Sequence, residues 1–109
     1  MAVVYHLPVT EAEMVVRCES LDDVRSNIDR IDQEIVALIA ERGQYVEQAA
    51  RFKASPTAVF DKARFDQILA RVRLLAEQAG ASPEVVEGVY RSMVMGFTEW
   101  EQGLVRDRG

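Results

Sequence analysis

The fold is decided by residues 20–53, which read SLDDVRSNIDRIDQEIVALIAERGQYVEQAARFK. Apolar side chains recur in this stretch at steps of three and four, the period of one face of an α-helix. The stripe runs through Leu21, Val24, Ile28, Ile31, Ile35 and Leu38, and continues through Arg42, Tyr45, Ala49 and Lys53. We therefore predict one amphipathic helix of about 33 residues, roughly 50 Å long at 1.5 Å per residue.

Two cations, Arg42 and Lys53, occupy the inward stripe of this predicted helix. They are eleven residues apart, about three helical turns, so both are expected to point to the same side. Unpaired charge inside a packed helical bundle costs several kcal/mol, because the charge loses its water. The pattern therefore predicts that an anionic ligand binds inside the bundle.

Two shorter helices are predicted after the first one. Residues 54–57 contain a proline and break the first helix, and the second begins near Asp61 and closes at Gly80. Ser82 is followed by a proline and a glutamate, which is typical of a helix start. The third helix is expected to run from there to about residue 106. The apolar residues of the second helix predict an inner face of Phe65, Ile68, Leu69, Val72, Leu75 and Ala76. Those of the third predict an inner face of Val86, Val89, Tyr90, Met93, Val94, Phe97, Trp100 and Leu104. No stretch of the sequence has the pattern of a strand.

These helices predict an all-α fold for residues 20–109, with residues 1–19 as an N-terminal arm. Partners of about 19 and 24 residues cannot cover the whole apolar stripe of a helix of about 33 residues. We therefore expect an intertwined homodimer in which the two first helices pack together.

Arg25 lies 17 residues before Arg42, roughly 26 Å along the helix. In such a dimer it would reach the pocket of the partner subunit.

The composition limits the ligands of this domain. A net charge of −5 disfavours non-specific binding of nucleic acid. No apolar run approaches the about 20 residues that span a bilayer, and the N-terminus lacks the pattern of a secretory signal. Cys18 is the only cysteine, so no disulfide forms within one chain. We expect a cytoplasmic protein whose ligand is neither nucleic acid nor a membrane.

Several short segments carry a family pattern through their order and spacing. They are Leu21–Arg25, Ile28–Asp32, Arg42, Arg51–Ser55, Arg64 and Val86–Gly88. Together they resemble the all-helical chorismate mutases and, within these, the isochorismate pyruvate-lyases of salicylate synthesis. The resemblance covers residues 20–106, and it implies an intertwined dimer of three-helix subunits with two equivalent active sites.

The resemblance also implies a role for each cation. The substrate of the family is a small dianion, chorismate or isochorismate, with two carboxylates and an enolpyruvyl ether. Arg42 and the partner subunit's Arg25 would each hold a carboxylate through two parallel hydrogen bonds. Lys53 would donate to the ether oxygen as that oxygen gains charge, and Arg64 would hold a carboxylate or the ring hydroxyl. The reaction is pericyclic, so no cofactor and no metal are implied.

Two positions depart from the mutase pattern. Phe65 stands where mutases often carry a glutamate that contacts the ring hydroxyl. The loop from Lys53 to Arg64 is one residue shorter than the corresponding loop of common bacterial mutases. Both traits are similar to the lyase branch. Glu101 stands where the family usually has a glutamine that donates to the ether oxygen. A protonated Glu101 could donate in its place, and the apolar Phe97, expected to wall the pocket, would favour the protonated form.

The expected function is that of a chorismate mutase, which converts chorismate to prephenate. The close alternative is an isochorismate pyruvate-lyase, which gives salicylate and pyruvate, and one protein can have both activities. Phe65 and Glu101 also leave open a catalytically inactive dimer that serves as a binding module. A pure dimerisation module with a packed, empty core is a further alternative, in which Arg42 and Lys53 would be dispensable.

Overall fold

The computed structural model describes residues 15–108, which contain three α-helices and no strand. The helices are α1 (Leu21–Ala50), α2 (Lys62–Ala79) and α3 (Pro83–Arg108), and a short 3-10 helix, Pro56–Ala58, lies between α1 and α2. The prediction of an all-α chain with three main helices is therefore confirmed. None of the described helices is both long and apolar enough to cross a membrane. Most of the predicted N-terminal arm lies outside the described residues.

The chain divides into two units, one that ends at Glu41 and one that begins at Arg42. In the N-terminal unit, the hydroxyl Oγ of Ser20 accepts a hydrogen bond from the amide of Asp23 at 3.0 Å. This contact satisfies one of the free amides at the start of α1, and the acidic Asp22 and Asp23 in the first turn suit the positive end of the helix dipole. The predicted start of the first helix is confirmed.

The apolar stripe of α1 in the N-terminal unit is open to solvent in the single chain. Its side chains are 39–64% exposed, and they are Leu21, Val24, Ile28, Ile31, Ile35 and Leu38. Isolated exposed apolar residues are common on protein surfaces, whereas a continuous stripe of this kind is typical of surfaces that bind a protein, a membrane or a ligand. This is the stripe that the predicted dimer would cover.

The end of α1 differs from the prediction. The helix was expected to continue to Lys53, but it ends at Ala50. The amides of Arg51, Phe52 and Lys53 each donate to the carbonyl oxygen three residues earlier, at distances of 3.1, 3.0 and 3.2 Å. The chain therefore tightens from α-helical to 3-10 geometry at this point. Lys53 does not occupy the α-helical position eleven residues after Arg42, and its direction is set by this turn.

Local capping interactions determine the ends of α2 and α3 in the C-terminal unit. Asp61 accepts a hydrogen bond from the amide of Arg64 at 3.0 Å, as the residue before a helix commonly does. Gly80 ends α2 with a φ of 78°, a left-handed conformation that glycine adopts without a steric penalty. The hydroxyl of Ser82 accepts from the amide of Val85 at 3.2 Å. All three predicted helix boundaries are confirmed.

Two small apolar clusters form the core of the C-terminal unit. One joins Ile68 and Val72 of α2 to Val94 of α3, and Val72 is 2% exposed. The other joins Ala50, at the end of α1, to Val59 and Val105. The predicted inner face of α2 is confirmed, because its buried residues are Ile68, Leu69, Val72 and Ala76.

The prediction of the inner face of α3 is wrong in part. Val89 and Trp100 were predicted to face the core, but they are 56% and 44% exposed, whereas Glu101 is buried. Apolar residues are present on more than one side of α3, and the neighbouring elements of the C-terminal unit cover only one of these sides. The covered side contains Val94, Glu101 and Val105, at steps of seven and four residues.

Candidate active site

A cavity of about 360 Å³ lies among the last turns of α1, the helix α2 and the helix α3, within the C-terminal unit. This volume is within the range of small-molecule sites in proteins. Six of the seven side chains singled out in the sequence line it, namely Arg42, Lys53, Arg64, Phe65, Phe97 and Glu101. The seventh, Arg25, belongs to the N-terminal unit and does not line this cavity.

Arg42 is a half-buried cation on the α1 wall of the cavity. Its guanidinium carbon lies 5.4 Å from the centre of the Phe97 ring, over the ring face. Burial lowers the pKa of the Arg42 guanidinium, and the positive charges of Arg64 and Arg71 lower it further, while Tyr90 raises it. The guanidinium nevertheless remains charged at any ordinary pH. Its burial is therefore unfavourable unless an anion is bound nearby.

Lys53 and Glu101 form the ion pair of the cavity. The ammonium Nζ of Lys53 lies 3.1 Å from the carboxylate oxygen Oε2 of Glu101. The Glu101 side chain is only 9% exposed and that of Lys53 is 28% exposed, so the pair is largely shielded from water. Removing one partner would leave the other charge buried and unpaired. The pair therefore fixes the position of the Lys53 ammonium in the cavity.

Arg64 lies in the first turn of α2, where the helix dipole disfavours a cation. The carboxylate of Asp61 caps this turn through the Arg64 amide and offsets that penalty. The Arg64 guanidinium donates to the side-chain oxygen of Gln67 at 2.6 Å, which is a neutral partner. Its charge is therefore not neutralised by this contact and remains available to a ligand in the cavity.

Arg71 is a cavity residue that the sequence analysis missed. It follows Arg64 by seven residues, two turns of α2, and the buried Ile68 lies between them. This seven-residue spacing on one helix face is the signal that could have identified it. Among residues 15–108, no carboxylate forms an ion pair with Arg42, Arg64 or Arg71.

The charges of the cavity are thus strongly unequal. Four cationic side chains line it, and the only carboxylates among its lining residues are those of Asp61 and Glu101. Asp61 caps α2 and Glu101 is paired with Lys53, so three arginines remain without an anionic partner in the described chain. A ligand with two carboxylates would balance most of this excess, because each carboxylate can accept two hydrogen bonds from an arginine.

Aromatic rings form the apolar wall of the cavity. Phe97 packs against α1 at Gly43, where an added Cβ atom would lie 3.1 Å from the ring. The absence of a side chain at Gly43 therefore lets the ring approach α1 closely. Phe65 of α2 also lines the cavity, and the guanidinium of Arg91 lies 5.6 Å from the centre of its ring. The cavity thus combines an apolar wall with cationic edges, which suits a carbocyclic dianion.

Comparison with known proteins agrees with this geometry. The sequence model of the chorismate mutase type II family matches residues 24–102. The chain belongs to this family. The matched range includes every cavity residue described above, as well as Arg25.

Two curated relatives of this family member have different names and lengths. An isochorismate pyruvate lyase from Pseudomonas aeruginosa is 38% identical over 77 residues, which cover 71% of this chain and 76% of that protein. A T-protein from Haemophilus influenzae is 36% identical over 74 residues, which cover 67% of this chain but only 20% of that protein. The chain therefore matches most of the first relative and a fifth of the second.

The position of Arg71 predicts a direct contribution to anion binding. Replacing it by glutamine in Arg71→Gln should weaken binding of a bicyclic dicarboxylate that mimics the mutase transition state by about tenfold, since a hydrogen bond to a charged group contributes roughly 1.5–3 kcal/mol. Lys62→Gln is the matched control, because Lys62 is on the same helix, is paired with Asp66 and lies outside the cavity. Titration calorimetry at fixed salt measures both. Equal effects of the two variants would contradict a specific role for Arg71.

Proposed function

We propose that this protein is an enzyme that rearranges chorismate to prephenate inside the cavity of the C-terminal unit. The observation that carries this proposal is the set of cations around an aromatic wall, in a chain of the chorismate mutase type II family. The set consists of one lysine and three arginines that have no carboxylate partner within residues 15–108. In this rearrangement a C–O bond breaks while a C–C bond forms. Neither a nucleophile nor a second substrate is needed, so catalysis rests on holding the reactive geometry and stabilising charge.

The proposed roles follow from the positions of the cations. Arg42, half-buried and without a carboxylate partner among residues 15–108, would hold one carboxylate of the substrate. Arg64 and Arg71, two turns apart on α2, would hold polar groups at the other end. Lys53 would donate to the ether oxygen, which becomes more negative as the C–O bond breaks. The aromatic wall would pack against the substrate ring and exclude water, which strengthens these electrostatic interactions.

A paired turnover assay tests the proposal. The purified protein should form prephenate from chorismate, and Arg42→Ala should lower kcat/KM by about 100-fold, since two charge-assisted hydrogen bonds are lost. Arg30→Ala serves as the control, because Arg30 is an exposed residue of α1 that pairs with Glu34. Lack of turnover of both chorismate and isochorismate by the folded protein would contradict an enzymatic role and favour the binding module.

Isochorismate pyruvate-lyase activity is the second candidate. It is favoured by Phe65, an apolar residue of the cavity at a position where mutases often have a glutamate, and by the relative of this name. The two reactions break the same kind of ether bond, so one pocket with the same lysine can serve both. Salicylate and pyruvate formed from isochorismate, at a rate well above that of prephenate formation, would establish this candidate instead.

The ion pair between Glu101 and Lys53 predicts that the carboxylate of Glu101 limits the rate. Glu101 occupies an N–H group of Lys53 and places negative charge where the ether oxygen gains charge. An amide at this position would remove the negative charge and provide an N–H donor. Replacing Glu101 by glutamine should therefore raise kcat by roughly tenfold, since a hydrogen bond to a charged group contributes about 1.5–3 kcal/mol.

The turnover of Glu101→Gln tests this prediction. Initial rates with chorismate, measured for the wild type and for this variant at one pH, give the change in kcat. Glu99→Gln is the matched control, since Glu99 is an exposed glutamate on the same helix. Equal kcat values for the wild type and Glu101→Gln would show that this carboxylate does not limit the rate.

The proposed enzyme is a homodimer in which each pocket is completed by the partner subunit's Arg25. The exposed apolar stripe of α1 supports the dimer, and the position of Arg25 on the helix that carries this stripe supports a shared site. A two-fold dimer would bury the same stripe on both chains. Arg25 would then serve the second carboxylate of the dianion.

Subunit mixing tests the shared site. A heterodimer of Arg25→Ala and Arg42→Ala should have one intact and one doubly altered pocket, and thus about half of the wild-type turnover, although each parent homodimer is inactive. Dual affinity tags allow the heterodimer to be purified and assayed. The control heterodimer pairs Arg42→Ala with Lys53→Ala. Since these two residues line the cavity of one chain, both of its pockets are damaged and it should remain inactive. Equal activity of the two heterodimers would contradict the shared site.

A further inference from the structure

Arg108, the last residue of α3, connects the end of this helix to the turn after α1. Its Nη1 donates to the carbonyl oxygen of Ala50 at 2.8 Å, and its Nη2 donates to the carbonyl oxygen of Lys53 at 2.6 Å. Ala50 and Lys53 precede Arg108 by 58 and 55 positions in the sequence. Arg108 also lies beyond residue 102, where the match to the chorismate mutase type II family ends.

Arg108 binds one carbonyl at the end of α1 and one in the turn that follows. The end of a helix carries partial negative charge, and no basic residue is present in the last turn of α1. The guanidinium of Arg108 supplies a positive charge there. It adds a second donor to the Ala50 carbonyl, which also accepts from the Lys53 amide at 3.2 Å, and its planar fork reaches the Lys53 carbonyl three residues later.

These hydrogen bonds mean that α3 holds Lys53 at both ends. Glu101 binds the side-chain Nζ of Lys53 at 3.1 Å, and Arg108 binds its backbone carbonyl. Glu101 and Arg108 are seven residues apart, two turns on the same face of α3. Between them Val105, which is 4% exposed, packs against Ala50. One face of α3 therefore fixes both the backbone carbonyl and the side-chain ammonium of Lys53.

We propose that Arg108 is a positioning residue for Lys53. Apart from the bond to Arg108, the backbone hydrogen bonds of the turn that carries Lys53 are local, because the amides of Arg51, Phe52 and Lys53 bond to carbonyls three residues back. Rotation of this turn would move Nζ away from the cavity. By fixing the carbonyl of Lys53, Arg108 fixes the backbone from which the side chain extends and so keeps Nζ at the site of the ether oxygen.

The catalytic consequence rests on the proposed function. Lys53 acts on the oxygen that gains charge in the transition state, whereas the arginines bind the substrate in both states. Loss of the Arg108 clamp should therefore lower kcat more than it raises KM. We expect Arg108→Ala to lower kcat by about ten- to a hundredfold, because a small misplacement of a catalytic group has an effect of this size. KM should change by less than about threefold.

Two variants separate positioning from general stability. Arg106→Ala removes an exposed arginine from the same last turn, where it pairs with the neighbouring Asp107, and should leave kcat unchanged. Arg108→Lys keeps the positive charge but cannot bind both carbonyls with a planar fork, so it should recover only part of the activity. It also replaces Arg108→Ala in the assay if the alanine variant does not fold. Full recovery by lysine would overturn the two-carbonyl clamp.

Hydrogen–deuterium exchange tests the clamp without any substrate. In Arg108→Ala the amides of residues 51–53 should exchange faster, while those in the middle of α2 should keep their wild-type rates. Unchanged exchange at residues 51–53 would overturn the clamp whether or not the protein is an enzyme. Faster exchange with an unchanged kcat would leave Arg108 a purely structural residue and overturn its positioning role. Absence of turnover in the wild type would refute the proposed function and the catalytic consequence. The exchange rates of residues 51–53 would still test whether Arg108 holds this turn.

Discussion

The contact between α3 and the turn that follows α1 is the constraint on which the cavity depends. On one face of α3, Glu101 binds the side chain of Lys53, Val105 packs against Ala50, and Arg108 binds two carbonyl groups. These contacts combine charge, apolar packing and backbone hydrogen bonds. They fix where the chain leaves α1, and this determines that Arg42 on α1 and the arginines of α2 line the same cavity.

The cavity is positively charged although the chain is acidic. A net charge of −5 describes the whole sequence, whereas a ligand responds to the local field of the groups that surround it. Three arginines of the cavity lack a carboxylate partner within the described chain, and burial lowers the pKa of Arg42. The partial burial of Arg42 has already removed some of its water, so pairing this cation with an anion needs less further desolvation. The acidic surface in turn disfavours larger polyanions such as nucleic acids.

Stability and catalysis are joined in the proposed dimer. Burial of a large apolar side chain contributes about 1.5–3 kcal/mol when complete, and the exposed stripe of α1 contains six such residues, each 39–64% exposed in the single chain. Covering this stripe with a second copy would supply much of the stability that a domain of 109 residues needs. The same association would bring the partner subunit's Arg25 to the pocket, so that a folded dimer and a complete site would form together.

The sequence by itself determined the local structure of this protein. The helices, the caps at Ser20, Asp61, Gly80 and Ser82, and the family pattern were predictable, because each depends on residues within a few positions of one another. Six cavity residues were also predictable, since the family pattern fixes their spacing. The pairing of Glu101 with Lys53 and the presence of Arg71 in the cavity were not predicted. Val89 and Trp100, which were assigned to the inner face of α3, are exposed.

Only the tertiary structure decided where α1 ends and what holds Lys53. The apolar period of α1 continues to Lys53, so no local signal favours an end at Ala50. The end is stabilised by Arg108, whose hydrogen bonds cross 58 and 55 positions of sequence. Contacts of this length depend on how helices pack, and a periodic pattern carries no information about the partner that will satisfy a free carbonyl group. The sequence thus determined which residues are helical and which are charged, and the packing of α3 against the end of α1 decided which of those charges meet.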